Sequence, residues 1–223
     1  MRRQRREREN NINETAANDP RNRDFAAPLG SLASGRLRFV RGASDVIIRA
    51  DPSTGDLYRA CFEGAVPEVW TEGGVVNTRY PRFYRPFGRR GRTGKIALNA
   101  AIPWHIEVRD GASKLTADLS QLKLGSFEVS GGASKVELTL PRVSGLVSIR
   151  VLGGASNVLI HRPEGVATRV RVVGGSTNLT FDDQHFGAVG SVVNLQSPNY
   201  DGTPERYDIT ITGGASNVAI DTR

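Results

Sequence analysis

Cysteine occurs once in this 223-residue chain, at Cys61, which excludes an internal disulfide framework and any zinc cluster built on cysteines. Aromatic residues are sparse, with eight Phe, five Tyr and two Trp. Apolar residues make up only 38% of the chain, so the core is lean and suits one domain or one repeat array. No apolar run approaches the roughly 18 residues of a membrane span. Residues Met1–Asn10 alternate charge and amide and lack the apolar stretch of a secretory signal. A cytoplasmic location is therefore expected, peripheral to the membrane at most. No segment carries an apolar stripe of 3.6-residue period, so helix should be nearly absent.

Charge is present but uneven. The basic residues are 26 Arg and only 4 Lys, and the net charge is +7. Residues 79–95 hold six Arg and one Lys with no acid, so this stretch alone equals the excess and the remainder is neutral. A protein basic over its whole surface is thereby excluded.

Glycine is plentiful, and it recurs in register. Six segments share one pattern: Arg41-Gly-Ala-Ser-Asp-Val46, Asp110-Gly-Ala-Ser-Lys-Leu115, Gly131-Gly-Ala-Ser-Lys-Val136, Gly153-Gly-Ala-Ser-Asn-Val158, Gly174-Gly-Ser-Thr-Asn-Leu179 and Gly213-Gly-Ala-Ser-Asn-Val218. Ser113, Ser134, Ser156 and Thr177 are spaced by 21, 22 and 21 residues. The interval of 39 to Ser216 predicts one degenerate copy between, and the 69 from Ser44 to Ser113 about three copies plus an insertion.

Apolar residues alternate on both sides of each corner, as in Phe127 and Val129 before it and Val136, Leu138 and Leu140 after it. Each unit reads as strand, corner, strand and a looser return. The expected fold is all-β, a single-stranded β-solenoid (β-helix) of about 21-residue repeats over residues 34–223. The corner positions Gly42, Gly111, Gly132, Gly154, Gly175 and Gly214 should need φ > 0 or close backbone approach. Ser44, Ser113, Ser134, Ser156, Thr177 and Ser216 can bond neighbouring backbone. Residues 1–33 lack the pattern, are polar and basic, and read as a disordered tail. Because the last copy stops two residues before the end of the sequence, its edge should be open to self-association or covered by the long N-terminal segment.

The segment Trp104-His-Ile-Glu-Val-Arg-Asp-Gly-Ala-Ser113, the following Ala117-Asp-Leu-Ser120 and the recurrent corners resemble the toastrack, adhesin-like β-solenoid domains of bacteria. The resemblance spans about residues 35–223. It implies a β-helical stack, an association with envelope-stress signalling and a signalling or envelope protein as partner. Many members carry transmembrane helices or a separate N-terminal domain, and this sequence shows neither. The group supplies no catalytic motif.

The residues themselves supply little chemistry. His105, His161 and His185 are dispersed, without i,i+4 spacing or an adjoining carboxylate cluster, and read as solvent-facing. Ser120-Gln-Leu-Lys123 matches Ser-x-x-Lys but lies in a strand-like segment, where a helix is needed. Gly91-Arg-Thr-Gly-Lys95 misses the phosphate-loop spacing. A glycan-active β-helix enzyme would need paired carboxylates, and Asp182-Asp183 is the one adjacent aspartate pair. Cys61, in an alternating run, reads as a small buried hydrophobe. No cofactor, metal or small-molecule substrate is expected, and the function expected is a non-catalytic binding, scaffolding or sensing module.

One interruption stands apart. Residues 78–95 read as an exposed Pro/Gly/Arg loop in which four of the chain's 15 aromatics fall. Arg79, Tyr80, Arg82, Phe83, Tyr84, Arg85, Phe87, Arg89, Arg90, Arg92 and Lys95 interleave cations with rings, which suits an anionic surface. An anionic membrane is the favoured partner, and single-stranded nucleic acid the alternative.

Overall fold

In a computed structural model, residues 23–80 and 93–223 are described, and among them every regular element is a strand. The first strands are β1 (Asp24–Pro28), β2 (Gly35–Phe39), β3 (Ala43–Asp51), β4 (Asp56–Glu63), β5 (Glu68–Glu72) and β6 (Val75–Arg79). Then follow β7 (Thr93–Asn99), β8 (Pro103–Val108), β9 (Ala112–Asp118), β10 (Lys123–Ser130), β11 (Ala133–Thr139) and β12 (Leu146–Leu152). The chain continues through β13 (Ala155–Arg162), β14 (Ala167–Val173), β15 (Ser176–Phe181) and β16 (Gln184–Val189). It ends with β17 (Val192–Gln196), β18 (Arg206–Thr212) and β19 (Ala215–Thr222).

The two-residue alternation decides which side chains go inward. In β12, Val147, Ile149 and Val151 are buried while Ser148 and Arg150 face outward. The strands form a ten-stranded sheet, β1-β4-β7-β3-β9-β11-β13-β19-β15-β16, and a nine-stranded sheet, β17-β14-β18-β12-β10-β8-β2-β6-β5. The inward residues of both make one core, with Trp104, Tyr207, Phe39, Phe62 and Phe127 fully buried. The two largest keep their polar ends satisfied: Trp104 Nε1 donates to Asn99 O at 2.8 Å and the Tyr207 hydroxyl to Pro141 O at 2.7 Å.

Six units cross from the nine-stranded to the ten-stranded sheet through a glycine corner: β2–β3, β8–β9, β10–β11, β12–β13, β18–β19 and β14–β15, in spatial order. Neighbouring units pair in parallel and in register. Ala43, Ala112, Ala133, Ala155 and Ala215 align at the corner, and Val46, Leu115, Val136, Val158 and Val218 align in the core.

Several expectations are corrected. The protein is all-β, but its sheets are mixed. The 69-residue interval holds β4 and β5, which pair antiparallel with β7 and β6. The 39-residue interval holds no degenerate parallel copy. Instead β16 and β17 lie antiparallel on β15 and β14, and their side chains are half-buried or exposed, as suits strands that end a stack. The last copy in sequence is not at an end. β18 pairs with β12 and β14, and β19 with β13 and β15, so neither offers the open edge on which self-association was argued. Finally, the expected tail contributes β1, because Phe25 is buried and packs edge-on against Phe62, ring centroids 5.9 Å apart. Residues 1–22 of that tail lie outside the described residues.

Candidate binding face along the stacked corners

The corners stack through their backbones. The Ala43 N–H donates to Gly111 O at 3.0 Å, Ala112 to Gly132 O at 3.0 Å and Ala133 to Gly154 O at 2.9 Å. The series continues with Ala155 to Gly214 O at 3.0 Å and Ala215 to Gly175 O at 3.1 Å. Such approach requires positive φ and no Cβ. Gly42, Gly111, Gly132, Gly154, Gly175 and Gly214 have φ of 65°, 89°, 90°, 87°, 81° and 81°. A Cβ on Gly111 would lie 3.0 Å from the oxygens of Gly131 and Gly132.

What this leaves facing solvent is a single long groove of about 1040 Å³. It runs across all six corners, from Arg41 and Tyr80 at one end to Ala188 and Val189 at the other. Ser113, Ser134, Ser156, Ser216 and Thr177 stand exposed along it and Ser44 is half-buried, one hydroxyl per unit at the roughly 4.8 Å strand spacing. Thr177 Oγ1 donates to Ser216 O at 2.8 Å.

Beside the hydroxyls runs a second row that the sequence reading passed over. It is built from the residue after each corner Ser or Thr. Asn178 Nδ2 donates to Asn217 Oδ1 at 3.0 Å, and Asn217 Nδ2 to Asn157 Oδ1 at 3.0 Å. The row then turns ionic with Lys135, which lies 3.6 Å from Glu137, and Lys114, 3.6 Å from Asp45. The signal was present in the six aligned copies, where this position is always Asp, Lys or Asn.

Donors and acceptors are abundant here, and reactive groups do not converge. Among the described residues no three His, Cys, Asp or Glu side chains gather as a metal site. The histidines sit apart: His105 Nδ1 is 2.9 Å from Ser126 Oγ, His185 Nδ1 is 3.1 Å from Thr180 Oγ1, and His161 Nδ1 is 2.5 Å from Asp221 Oδ1. His161 is buried, contrary to the solvent-facing expectation, because Asp221 of the neighbouring β19 closes over it. Asp182 is engaged by the buried Arg162 at 2.5 Å. Ser120 donates to Asp118 at 2.7 Å while Lys123 donates to Ala101 O at 2.8 Å, so this pair shares no site. Cys61 is half-buried where full burial was expected. A hydrogen bond to Asp24, aided by burial and the nearby acids, raises its thiol above the usual pKa.

The basic–aromatic segment is separated where it is described. Arg79 pairs with Glu68 and stacks over Trp70 at 5.3 Å, Tyr80 lines one end of the groove, and Lys95 lies on the ten-stranded sheet, 3.2 Å from Glu63. Arg82, Phe83, Tyr84, Arg85, Phe87, Arg89, Arg90 and Arg92 lie outside the described residues.

Residues 74–161 match the family model for the N-terminal domain of toast_rack. A crystal structure of a candidate cell adhesion protein from Clostridium sporogenes is similar over 92% of this chain and 100% of its own, with 16% identity and a TM-score of 0.71. A candidate adhesin from Bacteroides fragilis aligns over 92% of this chain and 99% of its own, with 10% identity and a TM-score of 0.29. No curated protein matches the chain. Residues 74–161 are thus similar to the N-terminal domain of toast_rack, and the Clostridium structure shares the fold of the chain.

Proposed function

We propose that this toastrack-like chain is a non-catalytic binding module whose corner face holds an extended polar polymer, a linear polysaccharide being the class that fits. On this reading the six central units are a solenoid-like stack with a period near 21 residues, interrupted by the inserted last unit and closed by antiparallel strands. The observation that carries the proposal is the row of hydroxyls, one per unit, inside one groove of about 1040 Å³.

A linear glycan offers hydroxyls at a step of the same order as the strand spacing, so successive units can repeat one contact along the polymer. Each contact is weak, because exposed hydroxyls exchange water for sugar at little net gain. Affinity must accumulate over several units. The adhesion role suggested for the Clostridium structure agrees in kind.

The test is binding of graded oligosaccharides by calorimetry. Affinity should rise with length until the groove is full. Ser134→Tyr, which places a bulky exposed side chain at mid-groove, should abolish binding and leave melting unchanged. Length-independent binding, or wild-type affinity in Ser134→Tyr, would overturn the assignment. A polysaccharide of the cell surface also requires the protein to meet it outside the cytoplasm. Fractionation of the host decides whether the location expected from residues 1–10 can stand.

A further inference from the structure

The outer face of the ten-stranded sheet carries a second concavity, remote in character from the polar corner groove. It holds about 720 Å³ and lies over β1, β4, β7 and β3. The register shows why it exists. Arg59 of β4 and Arg49 of β3 stand directly either side of Ala97 on β7, and Lys95 is two residues back on the same strand. Three long cations therefore surround a position with only a methyl group. Ala26, opposite Arg59 on β1, and Ile47, opposite Lys95 on β3, extend that apolar floor.

The cations are not all committed. Arg59 pairs with Asp56 at 2.8 Å and Lys95 with Glu63 at 3.2 Å, but these are exposed pairs of little strength. Arg49 has no ion-pair partner among the described residues. Asp118, its register neighbour on β9, instead accepts from the Ser120 N–H at 3.2 Å and the Ser120 hydroxyl at 2.7 Å. Asp24 also lines the bowl, hydrogen-bonded with Cys61, so the rim sets three cations against one carboxylate. With its apolar floor and the unpaired Arg49 guanidinium, the bowl has the composition of a small-molecule site. An anionic head would relieve the mutual repulsion of the rim and take the bidentate donors of Arg49.

We propose that this bowl binds a small organic monoanion with an apolar body, a medium-chain or aryl carboxylate, with Arg49 on the carboxylate and the tail over Ala97 and Ile47. The site is independent of the corner groove.

Cys61 makes the proposal measurable, since it lines the same bowl and is the chain's single cysteine. The rate at which a disulfide reagent labels it in the full chain, at mildly alkaline pH, reports occupancy. Octanoate should slow labelling by the factor 1 + [L]/Kd, about tenfold at roughly ten times the dissociation constant. Octanol at the same concentration should not. Arg49→Ser should label normally and lose the octanoate effect, and Ala97→Leu, which fills the floor without touching the core, should lose it too. Equal protection by octanol, or retention of the effect in Arg49→Ser, would overturn the assignment. So would protection by anionic vesicles with none by octanoate, since the surface would then read a membrane.

Discussion

Gly213 and Gly154 meet across neighbouring units so closely that a Cβ on Gly213 would lie 2.5 Å from the Gly154 nitrogen. Both also hold positive φ, 91° and 87°. Two separate costs are therefore combined at one corner, a strained backbone and a backbone collision. Gly165 separates them, because its φ is 78° and nothing lies within 4 Å of a Cβ built there. Gly165→Ala should cost roughly 1 kcal/mol for the left-handed conformation alone. Gly213→Ala should cost roughly 1–3 kcal/mol more, since the clashing atom is backbone and cannot swing away. Urea midpoints measure both. Equal losses would mean that contact between corners contributes nothing.

These corners were the most legible part of the sequence. Strict conformational demand selects glycine at the second corner position in all six units and at the first in four, and burial selects alternate apolar residues around them. Element type and the inward faces followed from that. The order of the units did not. β18 carries Ile209 and Ile211 and β14 carries Val170 and Val172 in the same pattern, so nothing local tells which is the inner strand. Only the antiparallel β16 and β17, whose alternation is half-exposed, reveal where the stack ends. β1 was missed because its docking depends chiefly on Phe25, in a short segment that lacks the repeat pattern. The hydroxyl row was visible, whereas the bowl around Ala97 arises from registers across four strands that no repeat encodes.

The inserted position of β18–β19 makes a prediction that a terminal position would not. Removing residues 206–223 should break parallel pairing on both sides at once and separate β14–β15 from β12–β13. Chain lacking that unit should lose cooperative unfolding by circular dichroism instead of melting slightly earlier. A milder probe is Tyr207→Phe. The phenol is buried, which pushes its pKa well above the usual range, and it donates to Pro141 O at 2.7 Å. Leaving that carbonyl unpaired should cost about 1–3 kcal/mol. An unchanged melting midpoint would show that Pro141 O finds water.

Acid should weaken the nine-stranded sheet at a definable place. Glu107 receives Arg38 at 2.9 Å and Arg36 at 3.0 Å, with Arg109 at 3.1 Å. Partial burial alone would raise its pKa, but the Arg38 hydrogen bond and the charges of Arg38, Arg36 and Arg109 outweigh it and hold the carboxyl below the ordinary 4.5. Because the folded value is depressed, this contribution is complete above about 4.5 and vanishes as pH falls through the folded value. The stability difference between wild type and Glu107→Gln should accordingly be constant at neutral pH and shrink in acid. A gap that persisted undiminished at the lowest pH would assign it to packing.

Binding through residues 79–95 is a proposal carried by composition, and the described ends constrain how it must be tested. Arg79 is held by Glu68 and Trp70, and Lys95 by Glu63, so changing either would disturb strands β5, β6 or β4 as well as any ligand contact. Arg85, Arg89, Arg90 and Arg92 lie between these ends, outside the described residues. Replacing these four by Ser should leave the melting midpoint of the sheets unchanged. The same variant should lose wild-type binding to anionic vesicles at low salt, because four cations near a charged surface contribute roughly 1 kcal/mol each. Raising the ionic strength should erase wild-type binding over the range in which the Debye length falls from about 30 to about 8 Å. Wild type that ignores vesicles but binds single-stranded nucleic acid would move the partner to the alternative. If it binds neither, or if the variant binds vesicles as well as wild type does, the segment serves no anionic surface.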